Sequence, residues 1–182
     1  MMNRRHALIC LCGIGLASLG RSAIAKTDLA SIPRKQHELA MRTAIAMGRQ
    51  NAAYPFGAVI TNSVSGTILG KGVNQTFQNP VLHGEMVCIN DYVSQQGNKN
   101  WGDCILYTTG EPCPMCMSAL IWAGIGGVVY GSSAKTIQAS GIDIFSFSAN
   151  QMNQGSGFSQ TQLLGGILES ECNALFMNRQ RA

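Results

Sequence analysis

The amino-acid sequence predicts a layered α/β domain, and three observations favour this class. The chain has 182 residues, a length suited to one domain with one sizeable core. Hydrophobic residues make up 46% of it and charged residues 12%, without a collagen-like period or a long run of like charge, which excludes fibrous and fully disordered proteins. Segments typical of strands alternate with segments typical of helices, which favours parallel strand pairing within one sheet.

Each predicted helix and strand follows from a local feature of the sequence. Apolar side chains recur at helical spacing before Pro55, which breaks the pattern, and Gly97 closes a second helix. A third helix starts at Pro112, because proline is common in helix first turns. Runs of β-formers between turn-forming stretches predict strands, the first two as a hairpin. The predicted helices are residues 35–49, 83–93 and 112–123, and the predicted strands are residues 56–61, 67–71, 104–109 and 128–131, with a last strand edge and helix within residues 163–177.

Residues 146–162 differ in composition from the rest of the chain. Ser, Asn, Gln and Gly dominate there, interrupted by Phe147, Met152 and Phe158. Such a segment buries little apolar surface by itself, so it is predicted to be a long loop or lid.

Residues 1–25 predict an export signal. Arg4 and Arg5 give a charged start, residues 7–19 are apolar, and the Ala23 and Ala25 positions fit the cleavage rule. The apolar run is shorter than the roughly 20 residues that span a bilayer, so no stable membrane insertion is expected. Residues 26–182 are therefore expected to be periplasmic or extracellular, by the general or the twin-arginine route, and cytoplasmic if the leader does not function.

The charge distribution argues against a nucleic-acid partner. The formal net charge is +4, but from Lys26 onward the chain has 10 basic and 9 acidic residues. A nearly neutral domain lacks the clustered Lys and Arg that bind phosphates. The expected partner is therefore a small molecule.

One constellation of residues predicts metal chemistry. After residue 25 the chain has two histidines: His37, predicted to be solvated on the first helix, and His83, at a helix start. Cys113 and Cys116 open another helix at a spacing that puts both sulfurs on one face. With His83 they offer three ligands and leave a fourth tetrahedral position for water, the pattern of catalytic zinc. Glu85 follows His83 closely enough to face that water.

The order His-x-Glu, then Pro-Cys-x-x-Cys, resembles the signature of zinc-dependent base deaminases. The chain is identified as similar to the cytidine/deoxycytidylate deaminase superfamily, in the branch of guanine, cytosine and tRNA adenosine deaminases. The resemblance covers residues 35–131 and resumes at residues 165–172, and Gly84 stands where the family usually has alanine. It implies a three-layer α/β/α fold around a mixed five-stranded sheet, one Zn²⁺ per chain and a homodimer.

By matching motif positions, the resemblance makes His83, Cys113 and Cys116 the zinc ligands, Glu85 the proton shuttle and Asn74 a substrate-binding residue that holds a polar edge of the base. Zinc lowers the pKa of water from 15.7 toward about 7. Glu85 then moves protons until ammonia leaves, and such acid–base help is typically worth about 10²–10⁴-fold. The expected substrate is a free nucleobase or nucleoside, a guanine-like purine first and cytosine next.

Three other functions stay open at this stage. A tRNA adenosine deaminase lies within the same family. A non-catalytic zinc-stabilised module belongs to another class, although the presence of Glu85 disfavours it. A thiol–disulfide oxidoreductase could use Cys113 and Cys116, but no proline follows Cys116, where that fold needs one to face the dithiol.

The sequence allows two interpretations of the role of several further residues. Phe145, Phe147 and Phe158 could stack on a base and Asp143 could read its edge, but packing in the core or loops is favoured. Trp122 is expected in the core or at a subunit interface. The cysteines outside the leader and the motif are expected to be buried thiols: Cys88, Cys104 and Cys172.

Overall fold

The computed structural model describes residues 28–158 and 160–181. The predicted export signal of residues 1–25 lies outside the described residues. The helices are α1 (Arg34–Gly48), α2 (Gly84–Gln96), α3 (Pro114–Ala123), α4 (Ala134–Ala139), α5 (Ala149–Gln154) and α6 (Glu169–Met177), and the strands are β1 (Gly57–Asn62), β2 (Ile68–Val73), β3 (Cys104–Gly110), β4 (Gly127–Ser132) and β5 (Gln162–Leu164).

Within the described residues, five strands form one mixed sheet in the order β2-β1-β3-β4-β5. β1 is antiparallel to both β2 and β3, whereas β3, β4 and β5 run parallel. The hairpin and the parallel pairing that the sequence predicts are both present. The predicted mixed five-stranded sheet is therefore confirmed.

Side chains alternate between the two faces of the sheet and so divide the core into two parts. Val59 and Tyr107 face α1 and α6, while Ile60 and Leu106 face α2 and α3. The helices α1, α2, α3 and α6 contribute buried apolar residues to these two parts of the core. The result is the predicted three-layer α/β/α arrangement.

The prediction that residues 146–162 form a loop is partly wrong, since α5 lies inside it. Ser148 caps this helix by accepting from the Gln151 backbone N–H, and the Gln151 side chain accepts from the Ser148 N–H. Ala149 and Met152, three residues apart, pack against α3. A capping box and a neighbouring helix thus stabilise a segment whose composition alone is too polar.

The prediction that His37 is solvated is wrong. His37 is only 2% exposed, and it lies between α1 and the sheet. Its Nδ1 lies 2.9 Å from the Tyr107 hydroxyl and its Nε2 lies 3.0 Å from the Leu29 carbonyl oxygen. Because both ring nitrogens have partners, the imidazole can be buried without losing hydrogen bonds.

The cysteine prediction and a membrane search complete the description of the fold. Cys88, Cys104 and Cys172 are buried free thiols, as expected. No helix in residues 28–158 or 160–181 is both long and apolar enough to cross a bilayer.

Candidate active site

Close backbone packing places the start of α2 against the sheet. A Cβ built on Gly84 would lie 2.4 Å from the Phe56 carbonyl oxygen, and one built on Gly72 would lie 2.2 Å from the Gly84 carbonyl oxygen. Glycine is therefore required at both contacts, because a methyl group would push the elements apart. The glycine at position 84 therefore lets the start of α2, between His83 and Glu85, pack directly against the start of β1 and the end of β2.

His83, Cys113 and Cys116 converge as the sequence predicts. Their ligand atoms all lie within 4.8 Å of one another. The Cys113 Sγ lies 3.6 Å from the His83 Nδ1. Tetrahedral zinc with ordinary bond lengths would hold a sulfur and a nitrogen about 3.6 Å apart, so the donor set and its spacing fit a zinc ion.

The two helix starts supply the protein frame for this group. His83 and Cys113 occupy the positions just before α2 and α3, and Pro114 opens α3. The free N–H groups at a helix start favour anionic sulfur. Contact with the Cys116 thiol lowers the pKa of the Cys113 thiol to about 4, while that contact and burial raise the pKa of Cys116. A divalent cation would let both sulfurs ionise.

Glu85 lies beside the ligand group in the first turn of α2. Its side chain is 2% exposed, and its Oε1 accepts a 3.0 Å hydrogen bond from the Thr108 hydroxyl. Burial raises the pKa of this carboxyl group, because a buried charge is poorly solvated. The arrangement favours a carboxyl group that holds and releases a proton, and Glu85 is not needed as a fourth ligand.

Asn74, the predicted substrate-binding residue, lies in the loop that follows β2. Its Oδ1 accepts from the backbone N–H of Thr76 at 3.2 Å and from the Thr76 hydroxyl at 2.8 Å. Because a backbone N–H can only donate, the oxygen of the amide must be the atom at that contact. Asn74 is buried and lines a cavity, to which it can offer its amino group.

A cavity of about 380 Å³ opens beside these residues. Its size suits a small organic ligand. Its lining combines the candidate metal ligands with aromatic, aliphatic and acidic side chains: Tyr54, Phe56, Asn74, Thr76, His83, Glu85, Glu111, Pro112, Cys113, Pro114, Ala134, Ile137, Ile142, Asp143, Ile144, Phe145 and Phe147.

The structure separates the aromatic residues whose roles the sequence left open. Phe145 and Phe147 are 67% and 59% exposed and line the cavity together with Asp143, so they are not core residues. Phe158 does not line it and stacks on Trp122 at a ring distance of 4.6 Å. Trp122 is 76% exposed, which excludes the predicted core position.

Sequence reasoning missed two polar residues that hold the site together. Thr108 lies in the middle of a fully buried strand, and its hydroxyl binds Glu85. Glu111 sits two residues before Cys113 and accepts two backbone hydrogen bonds from later segments. The adjacent threonines at the end of an apolar strand were the available signal for Thr108, whereas nothing local marks the partners of Glu111.

Comparison with known proteins agrees with this geometry. Residues 34–132 match the family model of the cytidine and deoxycytidylate deaminase zinc-binding region. This match covers α1 through β4 and so includes all three candidate metal ligands and Glu85.

Two curated relatives and one solved structure illustrate the similarity. The guanine deaminase of Bacillus subtilis is 35% identical over 59% of this chain and 71% of its own length. The tRNA-specific adenosine deaminase of Bacillus subtilis is 29% identical over 77% of this chain and 86% of its own. The crystal structure of a protein called NE0047, in complex with 2,6-diaminopurine, has a TM-score of 0.69 at 24% identity and covers 78% of this chain and 81% of its own.

Proposed function

Because this chain belongs to the cytidine and deoxycytidylate deaminase family, we propose that it is a zinc-dependent hydrolase that releases ammonia from a free nucleobase, with guanine as its preferred substrate. One observation carries the proposal: a buried carboxyl group lies beside a His/Cys/Cys group at the edge of a ligand-sized cavity. A structural zinc site would instead have a fourth protein ligand, and it would not need a cavity beside it.

The three ligand atoms would hold the zinc ion. His83 would contribute one nitrogen, and Cys113 and Cys116 would contribute two sulfurs whose charge balances the cation. When bound, zinc lowers the pKa of water and so supplies a nucleophile near neutral pH.

Glu85 would move the protons. It accepts one from the attacking water and delivers it to the ring nitrogen beside the carbon under attack, while the new carbon–oxygen bond forms. A second proton passes from the added oxygen through Glu85 to the amine, the carbon–nitrogen bond breaks and ammonia leaves. The raised pKa of Glu85 suits a group that carries a proton in one half of the reaction, and Thr108 fixes its direction.

The polar groups around the cavity favour guanine. Beside its amine-bearing carbon, guanine has one ring N–H, a donor that adenine and cytosine lack at the matching position. Asp143, at the cavity rim, offers a carboxylate that accepts from such a donor, and Asn74 offers an amino group to a ring acceptor. The 35% identity to a guanine deaminase supports the same choice.

The acidic cavity disfavours a tRNA substrate, although the chain is also similar to tRNA-specific adenosine deaminases. Glu85, Glu111 and Asp143 all line the cavity, and none of the described residues along it is Lys or Arg. Phosphate groups near the entrance would meet the exposed Asp143 side chain and no lining cation.

The test is a substrate screen with the purified, zinc-loaded chain. Guanine, cytosine, adenine, their nucleosides and a tRNA anticodon stem-loop are offered, and released ammonia is measured. We expect one zinc per chain and fastest release from guanine, with Cys113→Ser losing both the metal and the activity. Faster release from the stem-loop would replace the proposal by a tRNA deaminase. A zinc-loaded protein inactive on every substrate, or a zinc-free one that reduces disulfides, would overturn it.

A further inference from the structure

Glu111 lies in the short loop between β3 and Cys113 and connects this loop to a later part of the chain. It stands between β3 and Cys113, where its backbone N–H donates to the Ser132 carbonyl oxygen at 2.8 Å. Its side chain is half-buried and lines the cavity. Because the Cys113 ligand follows two residues later, any segment bound to Glu111 is held at a fixed place relative to the metal group.

The Glu111 carboxylate binds two separate helix starts. Oε2 accepts from the Ala134 N–H, at the first residue of α4, at 2.9 Å. Oε1 accepts from the Ala149 N–H, at the first residue of α5, also at 2.9 Å. Each bond pairs a carboxylate oxygen with a backbone donor at a helix start, so both are charge-assisted. With both oxygens engaged in this way, Glu111 is poorly placed to carry protons for the reaction.

The segment between these two anchor points forms one side of the cavity. We call residues 140–148, which join α4 to α5, the wall loop. Its residues Ile142, Asp143, Ile144, Phe145 and Phe147 all line the cavity. One carboxylate thus fastens the chain before and after the residues that would contact a base.

The wall loop has few other attachments. Ile142 and Ile144 pack with the apolar cluster around Phe176, and Arg179 donates to the Gly141 carbonyl oxygen at 3.1 Å. Over residues 142–147 the described part of the chain provides no hydrogen bond. Loss of the two Glu111 bonds would therefore remove the hydrogen bonds that fasten the chain on either side of the wall loop, and apolar packing would remain as the main attachment of residues 142–147.

We propose that Glu111 is a positioning residue that holds the wall loop against the cavity and thereby sets the affinity for the base. The proposal rests on the proposed function for its substrate, but the attachment of the loop can be tested without any substrate. Glu111 acts through Asp143, Phe145 and Phe147, which lie on the loop, and not on the reacting atoms.

The experiment combines hydrogen exchange with steady-state kinetics on the zinc-loaded full chain. In Glu111→Ala we expect amide exchange in residues 134–149 to accelerate at least about tenfold, since two charge-assisted bonds are lost. The KM for guanine should rise about tenfold while kcat stays within about threefold and zinc content is unchanged. Glu111→Gln keeps one amide oxygen as an acceptor, so its amide exchange rate and its KM should fall between those of the wild type and Glu111→Ala. It is the test variant if Glu111→Ala does not fold.

Asp91→Asn is the matched control. Asp91 also binds a backbone N–H through one carboxylate oxygen, that of Lys71 at 2.8 Å, but it does not line the cavity. It should leave the exchange of residues 134–149 and the KM unchanged. Unaltered exchange in Glu111→Ala, or lost zinc with unchanged KM, would overturn the proposal. If exchange is fast in Glu111→Ala but the wild type deaminates no base, Glu111 still attaches the wall loop and the proposed function is wrong.

Discussion

The floor and the wall loop of the cavity are built in opposite ways. We define the floor as His83, Glu85, Cys113 and Cys116 with Thr108. Glu85, Cys116 and Thr108 are buried, and these residues come from two helix starts and a central strand. The wall loop exposes more than half of Phe145 and of Phe147, and its attachments are the Glu111 and Arg179 hydrogen bonds and the packing of Ile142 and Ile144 near Phe176.

This difference predicts that substitutions can change reactivity and selectivity separately in this protein. Close glycine contacts fix the floor against the sheet, so its geometry can change only if the core changes. The wall loop can change its side chains or its position at small cost, because loops tolerate substitution. Substitutions in the floor should therefore alter kcat, and those in the wall loop should alter KM and substrate choice.

The largest expected effect is that of Glu85→Gln. Glutamine keeps the oxygen that Thr108 binds but cannot carry protons, so kcat should fall about 10²–10⁴-fold. Zinc content should not change, because Glu85 is not a ligand. The partly exposed carboxylate of Glu38, which pairs with Arg34 and does not line the cavity, provides the control Glu38→Gln, expected to be fully active. Ammonia release and metal analysis decide, and a Glu85→Gln variant with near-normal turnover would contradict the role of this floor residue.

Asp143→Asn tests the wall loop. Removal of a charged acceptor at an exposed rim should cost about 1.5 kcal/mol of binding, or roughly tenfold in kcat/KM for guanine. Cytosine should be affected less, because it lacks the ring N–H beside its amine-bearing carbon. Competition between the two bases measures the change in preference. Equal losses for both bases would show that Asp143 does not read the base and that selectivity lies elsewhere.

The same division explains what the sequence could predict. The helices and strands of the sheet region follow from local periodicity and turn residues, and the three candidate metal ligands follow from spacing at helix starts. The helices within residues 134–154 were not predicted, because α4 and α5 are short and polar. Their first residues bind Glu111, which lies 23 positions before α4 and 38 positions before α5. The burial of His37 was not predicted for a related reason, since one of its hydrogen-bond partners is the Tyr107 hydroxyl, 70 positions away.

Gly84→Ala tests whether close packing fixes the floor. A methyl group at that position would lie 2.4 Å from the Phe56 carbonyl oxygen, and such overpacking typically costs about 1–3 kcal/mol. We expect a lower midpoint of thermal unfolding and a lower kcat. A Cβ on Gly102 would meet nothing within 4 Å, so Gly102→Ala is the control and should leave both quantities unchanged. A fully stable and active Gly84→Ala variant would show that the floor can shift without loss.

The smallest effect is expected for Ser148→Ala, at the end of the wall loop. This change removes the capping hydroxyl that accepts from the Gln151 N–H, which typically costs about 1 kcal/mol. Because Glu111 still binds the Ala149 N–H, α5 should fray at its start while it stays attached to the Glu111 carboxylate. Thermal unfolding should therefore shift slightly while kcat stays the same. Ser94→Ala, on α2, is the control, since the exposed Ser94 hydroxyl donates to the Asp91 carbonyl oxygen within the same helix. A drop in kcat for Ser148→Ala would show that the wall loop and the floor act as one unit, and the division between them would not hold.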